Sequence, residues 1–204
     1  MTKGKMPPVG RDNALRSLKA LMKGSSSTAT IEFMRAAFYR ERTVTRDYRG
    51  ECLTAVAMLD ASLQDALETR FEALNSDRRK ELFSDSSNGP LSTFSNKIRM
   101  AQALGFFGPE LRKDLDLLRS IRNTFAHAHQ HVDFSTNEVT QACRLLNYSH
   151  VLVGSGYAPD DYVHDPARCF FAVCYVAAIM FVQIIPKHRH EMLIIEGPTT
   201  WRLK

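Results

Sequence analysis

The densest run of chemically capable residues is LLRSIRNTFAH at 117–127. On a helix, Asp116, Arg119, Asn123 and His127 fall at three- and four-residue steps and share one face, opposite a Leu/Ile/Phe face, with Arg122 on the flank. Two guanidiniums, an amide and an imidazole on one rigid element suit an anionic group. Arginine makes bidentate contacts to phosphate, and histidine can exchange a proton near neutral pH. The competing reading is structural: Asp116 and Arg119 form an ion pair within the helix, Asn123 and His127 bond to a neighbouring loop, and His127 complements the helix dipole. On residue types alone the structural reading leads, because a polar helix face is common.

Beyond the motif runs HAHQH. His127, His129, His131 and Asp133 are of metal-ligating types, but their alternate spacing matches no standard zinc frame, and no metal is expected. No phosphate-cradling G-x-x-x-x-G-K-[ST], dinucleotide G-x-G-x-x-G, zinc-binding H-E-x-x-H or nucleophilic G-x-S-x-G occurs, and no cofactor is expected. Cys52, Cys143, Cys169 and Cys174 form no C-x-x-C pair and follow no secretory leader, which points to reduced thiols in the cytoplasm.

The elements that must position these residues read as helices. Asn13 is placed to cap a short basic helix over 14–23, and a second is expected over about 30–45 with Ile31, Met34, Phe38 and Arg42 on one side. From 49 to about 74, Cys52, Val56, Leu59, Leu63, Leu67, Phe71 and Leu74 recur at helical steps. A polar Ser-rich turn with Gly89–Pro90 leads to a helix over 91–104 closed by Gly105. Pro109 opens the helix that carries Leu111, Leu115, Leu118, Ile121 and Phe125. Ser135 with Glu138 matches a capping box, and Asp165–Pro166 a cap and first-turn pair for the last long helix. Met192–Ile195 is the one strand candidate, so the fold expected is all-α: a single bundle of about six or seven helices with a long apolar C-terminal helix. Residues 169–185 reach the lower length limit for a membrane span, but Ala172, Ala177, Ala178 and Tyr175 at their centre suit a core helix, and no membrane is expected.

The chain has 204 residues, 44% hydrophobic and 24% charged, a composition that excludes disordered, collagenous and disulfide-dense classes. Its charge is uneven. Residues 1–50 carry 11 Lys/Arg against 4 Asp/Glu, and residues 51–204 carry 16 against 18. A basic, partly flexible N-terminal extension over 1–30 on a helical domain over 31–204 offers a handle to an anionic partner such as nucleic acid.

Two segments taken together, GPLSTFSNKIRMAQALG (89–105) and LLRSIRNTFAH (117–127), resemble the mannitol operon repressor family, over about residues 35–185. That resemblance implies an all-helical bacterial regulator without an obvious helix-turn-helix, acting through protein or nucleic-acid partners. The basic leader and the His-rich HAHQH depart from the family pattern. Arg122–His127 is also similar to the R-N-x-x-x-H signature of HEPN domains, small helical dimers in which Arg and His of two subunits cleave RNA without metal. Under that resemblance His127 is the general acid/base, Arg122 stabilises the charged phosphorane and Asn123 orients the pair. Many HEPN relatives only bind. The leading expectation is therefore a cytoplasmic, non-enzymatic regulator that binds through Arg119, Arg122, Asn123 and His127 and self-associates as a homodimer. Its rivals are a HEPN-like ribonuclease, or its inactive RNA-binding relative, and direct DNA contact by the leader.

Overall fold

The computed structural model describes residues 27–39, 47–71, 74–129, 131–149 and 164–185. Among them the chain forms seven α-helices and one 3-10 turn, with no strand. The helices are α1 (Ser27–Tyr39), α2 (Tyr48–Glu68), α3 (Ser76–Phe83), α4 (Phe94–Ala103), α5 (Pro109–His127), α6 (Asn137–Arg144) and α7 (Pro166–Ile184); the 3-10 turn is Asp85–Ser87, between α3 and α4. The all-α expectation and its long apolar last helix are met.

Most helix starts are fixed by a side chain that accepts the free N–H groups of the first turn. Asp47 accepts from Gly50 N, Asn75 from Asp77 N and Arg78 N, Thr93 from Asn96 N, and Asp165 from Ala167 N and Arg168 N. Proline at the first position of α5 and α7 supplies a helical φ where no N–H is needed. Gly105, at φ +73°, ends the turn after α4, a conformation in which a Cβ is strained.

Helix α7 is the centre of the bundle. It packs against α1, α2, α5 and α6, and thirteen of its residues are buried; the others, among them the stripe of Arg168, Tyr175, Ile179 and Gln183, are half-buried. It is long and apolar enough to cross a membrane, yet 72% of its apolar window is covered by the other helices. Phe134, from the loop before α6, sits at the middle of the core, with ring centroids 5.0 Å from Phe125, 5.3 Å from Phe170, 5.9 Å from Phe171 and 5.4 Å from Tyr48.

Several expected boundaries move. Helix α1 starts at Ser27 rather than near residue 30, and Thr30 is buried. Helix α2 ends at Glu68 rather than near 74; Phe71 and Leu74 still pack on the core, but from the turn beyond the helix. The expected Ser-rich turn holds the short helix α3, whose sequence SDRRKELF has no apolar stripe and buries only Phe83. Helix α4 begins at Phe94, not Leu91, because Thr93 caps it; Leu91 is buried in the preceding loop, its N–H donating to Leu82 O at 2.8 Å. The Ser135–Glu138 capping box does not form. Instead Asp133 Oδ1 accepts from Ser135 N, Ser135 Oγ and Thr136 N, turning the chain into α6 one residue later, at Thr136, whose hydroxyl accepts from Asp133 N and does not cap the N–H groups of α6. The expected helix over 14–23, Arg42 and the strand candidate at 192–195 lie outside the described residues.

Candidate functional site

Three helices, the 3-10 turn and a loop meet around a cleft of about 340 Å³. Helix α2 contributes Val56, Ala57 and Asp60, one turn apart along the helix. The 3-10 turn contributes Asp85, the loop into α4 contributes Ser92 and Thr93, α4 contributes Phe94, and α5 contributes Arg119 and Arg122, also one turn apart. The sequence segments 89–105 and 117–127 are thus brought onto one cleft.

The loop between them is held by backbone contacts. Gly89 N–H donates to Ser84 O at 3.0 Å, and Ser92 N–H to Gly89 O at 3.0 Å. Gly89 is buried so close to α3 that a Cβ built on it would lie 2.5 Å from Leu82 O. Thr93 then starts α4, whose first turn contains no acidic residue, so the positive end of its dipole opens on the cleft without a carboxylate to offset it.

Asp60, on the cleft lining, is held in an ion pair by the buried Lys97. Lys97 Nζ donates to Asp60 Oδ1 at 2.8 Å, with the Lys97 side chain 5% exposed and that of Asp60 29%. Burial pushes the Asp60 carboxyl above the ordinary aspartate range, against the downward pull of Lys97 and Arg122. Sequence reasoning missed Asp60, Asp85 and Lys97. The signal for Lys97 was available: it falls three residues after Phe94 and four before Ala101, on the side of α4 that turns inward.

Of the expected site residues, Arg119 and Arg122 line the cleft, and both are half-buried. Arg119 Nε is buried and finds no hydrogen-bond partner among the described residues; its nearest carboxylate oxygen, Asp116 Oδ1, is 4.0 Å away. The expected Asp116–Arg119 ion pair is therefore loose. Asp116 is held instead by Arg112, one turn earlier, through Nε at 2.8 Å. Arg112 is fixed in turn by its bond to Gln102. Among the described residues Asn123 bonds to no neighbouring loop: its Oδ1 accepts from Arg122 Nη1 at 3.0 Å, which orients the guanidinium.

His127 stands in the last turn of α5, exposed, and does not line the cleft. Five residues after Arg122, it is rotated about 140° around the helix from it. The carbonyl of Ala126 beside it accepts from Arg49 Nη2 at 3.0 Å, tying the end of α5 to the start of α2. Asp133 is engaged in the turn before α6, with His131 Nε2 3.7 Å from its Oδ2. Its hydrogen bonds, first that from the Ser135 hydroxyl, hold the Asp133 carboxyl below the usual range. Among the described residues no group of three or more His, Cys, Asp or Glu side chains is placed to hold a metal ion.

The chain matches no protein-family model, no curated protein and no solved structure.

Proposed function

We propose that this chain is a helical transcriptional regulator of the mannitol-repressor type, working in the cytoplasm as a homodimer and acting by binding a protein or nucleic-acid partner rather than by catalysis. One observation carries the reading: the two segments of the resemblance line a single cleft furnished with two arginines, two hydroxyl residues and a helix N-terminus, while His127, the general acid/base of the HEPN resemblance, lies outside it. Such a set binds and orients an anion without offering it an acid or a base from the histidine. The test is genetic. Removing the gene should change a defined set of transcripts, and the wild-type gene, but not one carrying Arg119→Gln and Arg122→Gln, should restore them. Transcripts unaltered by the deletion would reject the regulator.

The exposure of His127 favours one second reading, a HEPN-like ribonuclease whose site needs a second copy of the chain to bring a histidine to an arginine. Incubating purified protein with mixed RNA beside the His127→Ala variant decides it. Cleavage lost in the variant establishes the nuclease, and RNA left intact by the wild type eliminates it.

A further inference from the structure

The arginines of the cleft have capacity that the fold does not use. Among the described residues Arg122 makes one hydrogen bond, to its neighbour Asn123, and Arg119 makes none through its buried Nε; neither has a carboxylate of those residues within hydrogen-bond distance. A guanidinium carries five N–H donors, and a buried donor left without a partner costs about 1–3 kcal/mol. The acidic residues nearby do not answer this demand. Asp60 is engaged by Lys97, and Asp116 by Arg112. On the same cleft, Ser92 and Thr93 bring hydroxyl-bearing side chains, and α4 brings the positive end of its dipole.

From this arrangement we infer that the cleft between α2, α4 and α5 is a binding site for the phosphate group of a small phosphomonoester, held by Arg119 and Arg122 with Ser92 and the N-terminus of α4. A tetrahedral dianion matches two convergent guanidiniums better than a planar carboxylate does, since it presents three oxygens to donors arriving from two elements. A volume of about 340 Å³ holds a small molecule and not a nucleic-acid strand. Asp60, engaged by Lys97, and Asp85 line the same cleft, so a ligand with a single anionic group and neutral hydrogen-bond donors is preferred over a polyanion. The inference rests on reading the cleft as a binding site, and it supplies the regulator with a metabolite signal.

The experiment measures binding of inorganic phosphate, glycerol phosphate and a short RNA oligonucleotide to the full chain by calorimetry, with ionic strength held constant by chloride. Saturable binding of glycerol phosphate is expected, weakened about tenfold or more in Arg119→Gln and in Arg122→Gln, with helical content unchanged by circular dichroism. Inorganic phosphate binding as tightly as the ester identifies the free ion as the ligand and overturns the ester; RNA binding more tightly than either overturns the small-molecule site. No saturable binding, or binding undiminished in both variants, also overturns it. If the variants lose helicity, the wild-type chain decides: glycerol phosphate should protect Arg119 and Arg122 from a dicarbonyl reagent, and equal modification with and without it rejects the site. Phosphoester binding combined with transcripts unaffected by gene deletion would leave the site standing and remove the regulator, so the two readings fail separately.

Discussion

Lys97 and Asp60 form a 2.8 Å ion pair at the wall of the cleft, with the lysine side chain almost wholly out of solvent. The pair joins α2 to α4, and it places a neutralised carboxylate, not a free one, beside Arg122. A buried charge without its partner is costly, whereas a buried pair replaced as a whole is often tolerated. Lys97→Met should therefore destabilise the chain by about 3 kcal/mol in urea denaturation, and adding Asp60→Asn to it should recover a substantial part of that loss. A double variant no more stable than Lys97→Met alone would show that the pair is not the source of the effect.

Gly89 is required by space and not by its dihedral angle. A Cβ there would meet Leu82 O at 2.5 Å and Leu82 C at 2.6 Å, both backbone atoms that cannot swing away. Gly89→Ala should cost about 2 kcal/mol and, by displacing the loop that carries Ser92 and Thr93, weaken phosphoester binding as well. Gly108 is the control, because a Cβ there meets nothing within 4 Å. Gly108→Ala, at a helix cap, should cost no more than about 1 kcal/mol and leave binding unchanged.

Asp114 is a buried carboxylate with a structural task. Its Oδ1 accepts from Asn147 N and Nδ2, both at 2.9 Å, and its Oδ2 from Tyr148 N at 2.8 Å, fastening α5 to the turn after α6. Asp114→Ala would strand these donors and should cost about 3 kcal/mol, with faster hydrogen exchange at Asn147 and Tyr148. Asp114→Asn, which keeps one oxygen acceptor, should cost less.

The four cysteines are buried free thiols. Burial pushes Cys169 up to about 11 and raises Cys52, Cys143 and Cys174 further. A thiol whose folded value lies above its unfolded one, about 8.5, lends its full stability below that unfolded value and loses it as pH rises toward the folded one. Urea midpoints should thus hold steady up to about pH 8 and fall above it, by on the order of 1 kcal/mol per thiol per pH unit. In the native chain iodoacetamide should label these cysteines slowly, and rapidly once the chain is unfolded. Fast labelling of the folded protein would contradict their burial.

His127 should contribute little to stability, since its side chain is exposed. His127→Ala is expected to shift the unfolding free energy by less than about 0.5 kcal/mol, which makes it a clean probe of ribonuclease activity.

The helices with an apolar stripe were legible from sequence because their spacing repeats the helix period: α2, α5 and α7 fall where Cys52 to Leu67, Leu111 to Phe125 and Asp165–Pro166 place them. Helix α3 was not legible, since SDRRKELF carries no such repeat and is set instead by the Asn75 cap and by Phe83 reaching the core. The same limit applied to Asp114, which occupies the stripe of Leu111 and Leu118 but owes its burial to donors 33 and 34 residues away.

By itself the sequence determined the all-helical class, the apolar last helix and the polar composition of 117–127, because each depends only on residue type and local period. Tertiary structure decided which members of that polar stripe act together. Arg119 and Arg122 are drawn into one cleft by the packing of α5 against α2 and α4, Asp116 is taken by Arg112, and His127 is left on the surface. Helical periodicity gives the faces of a helix, but which face meets another element, and which charge that element offers, is settled only by long-range contacts such as Lys97 with Asp60.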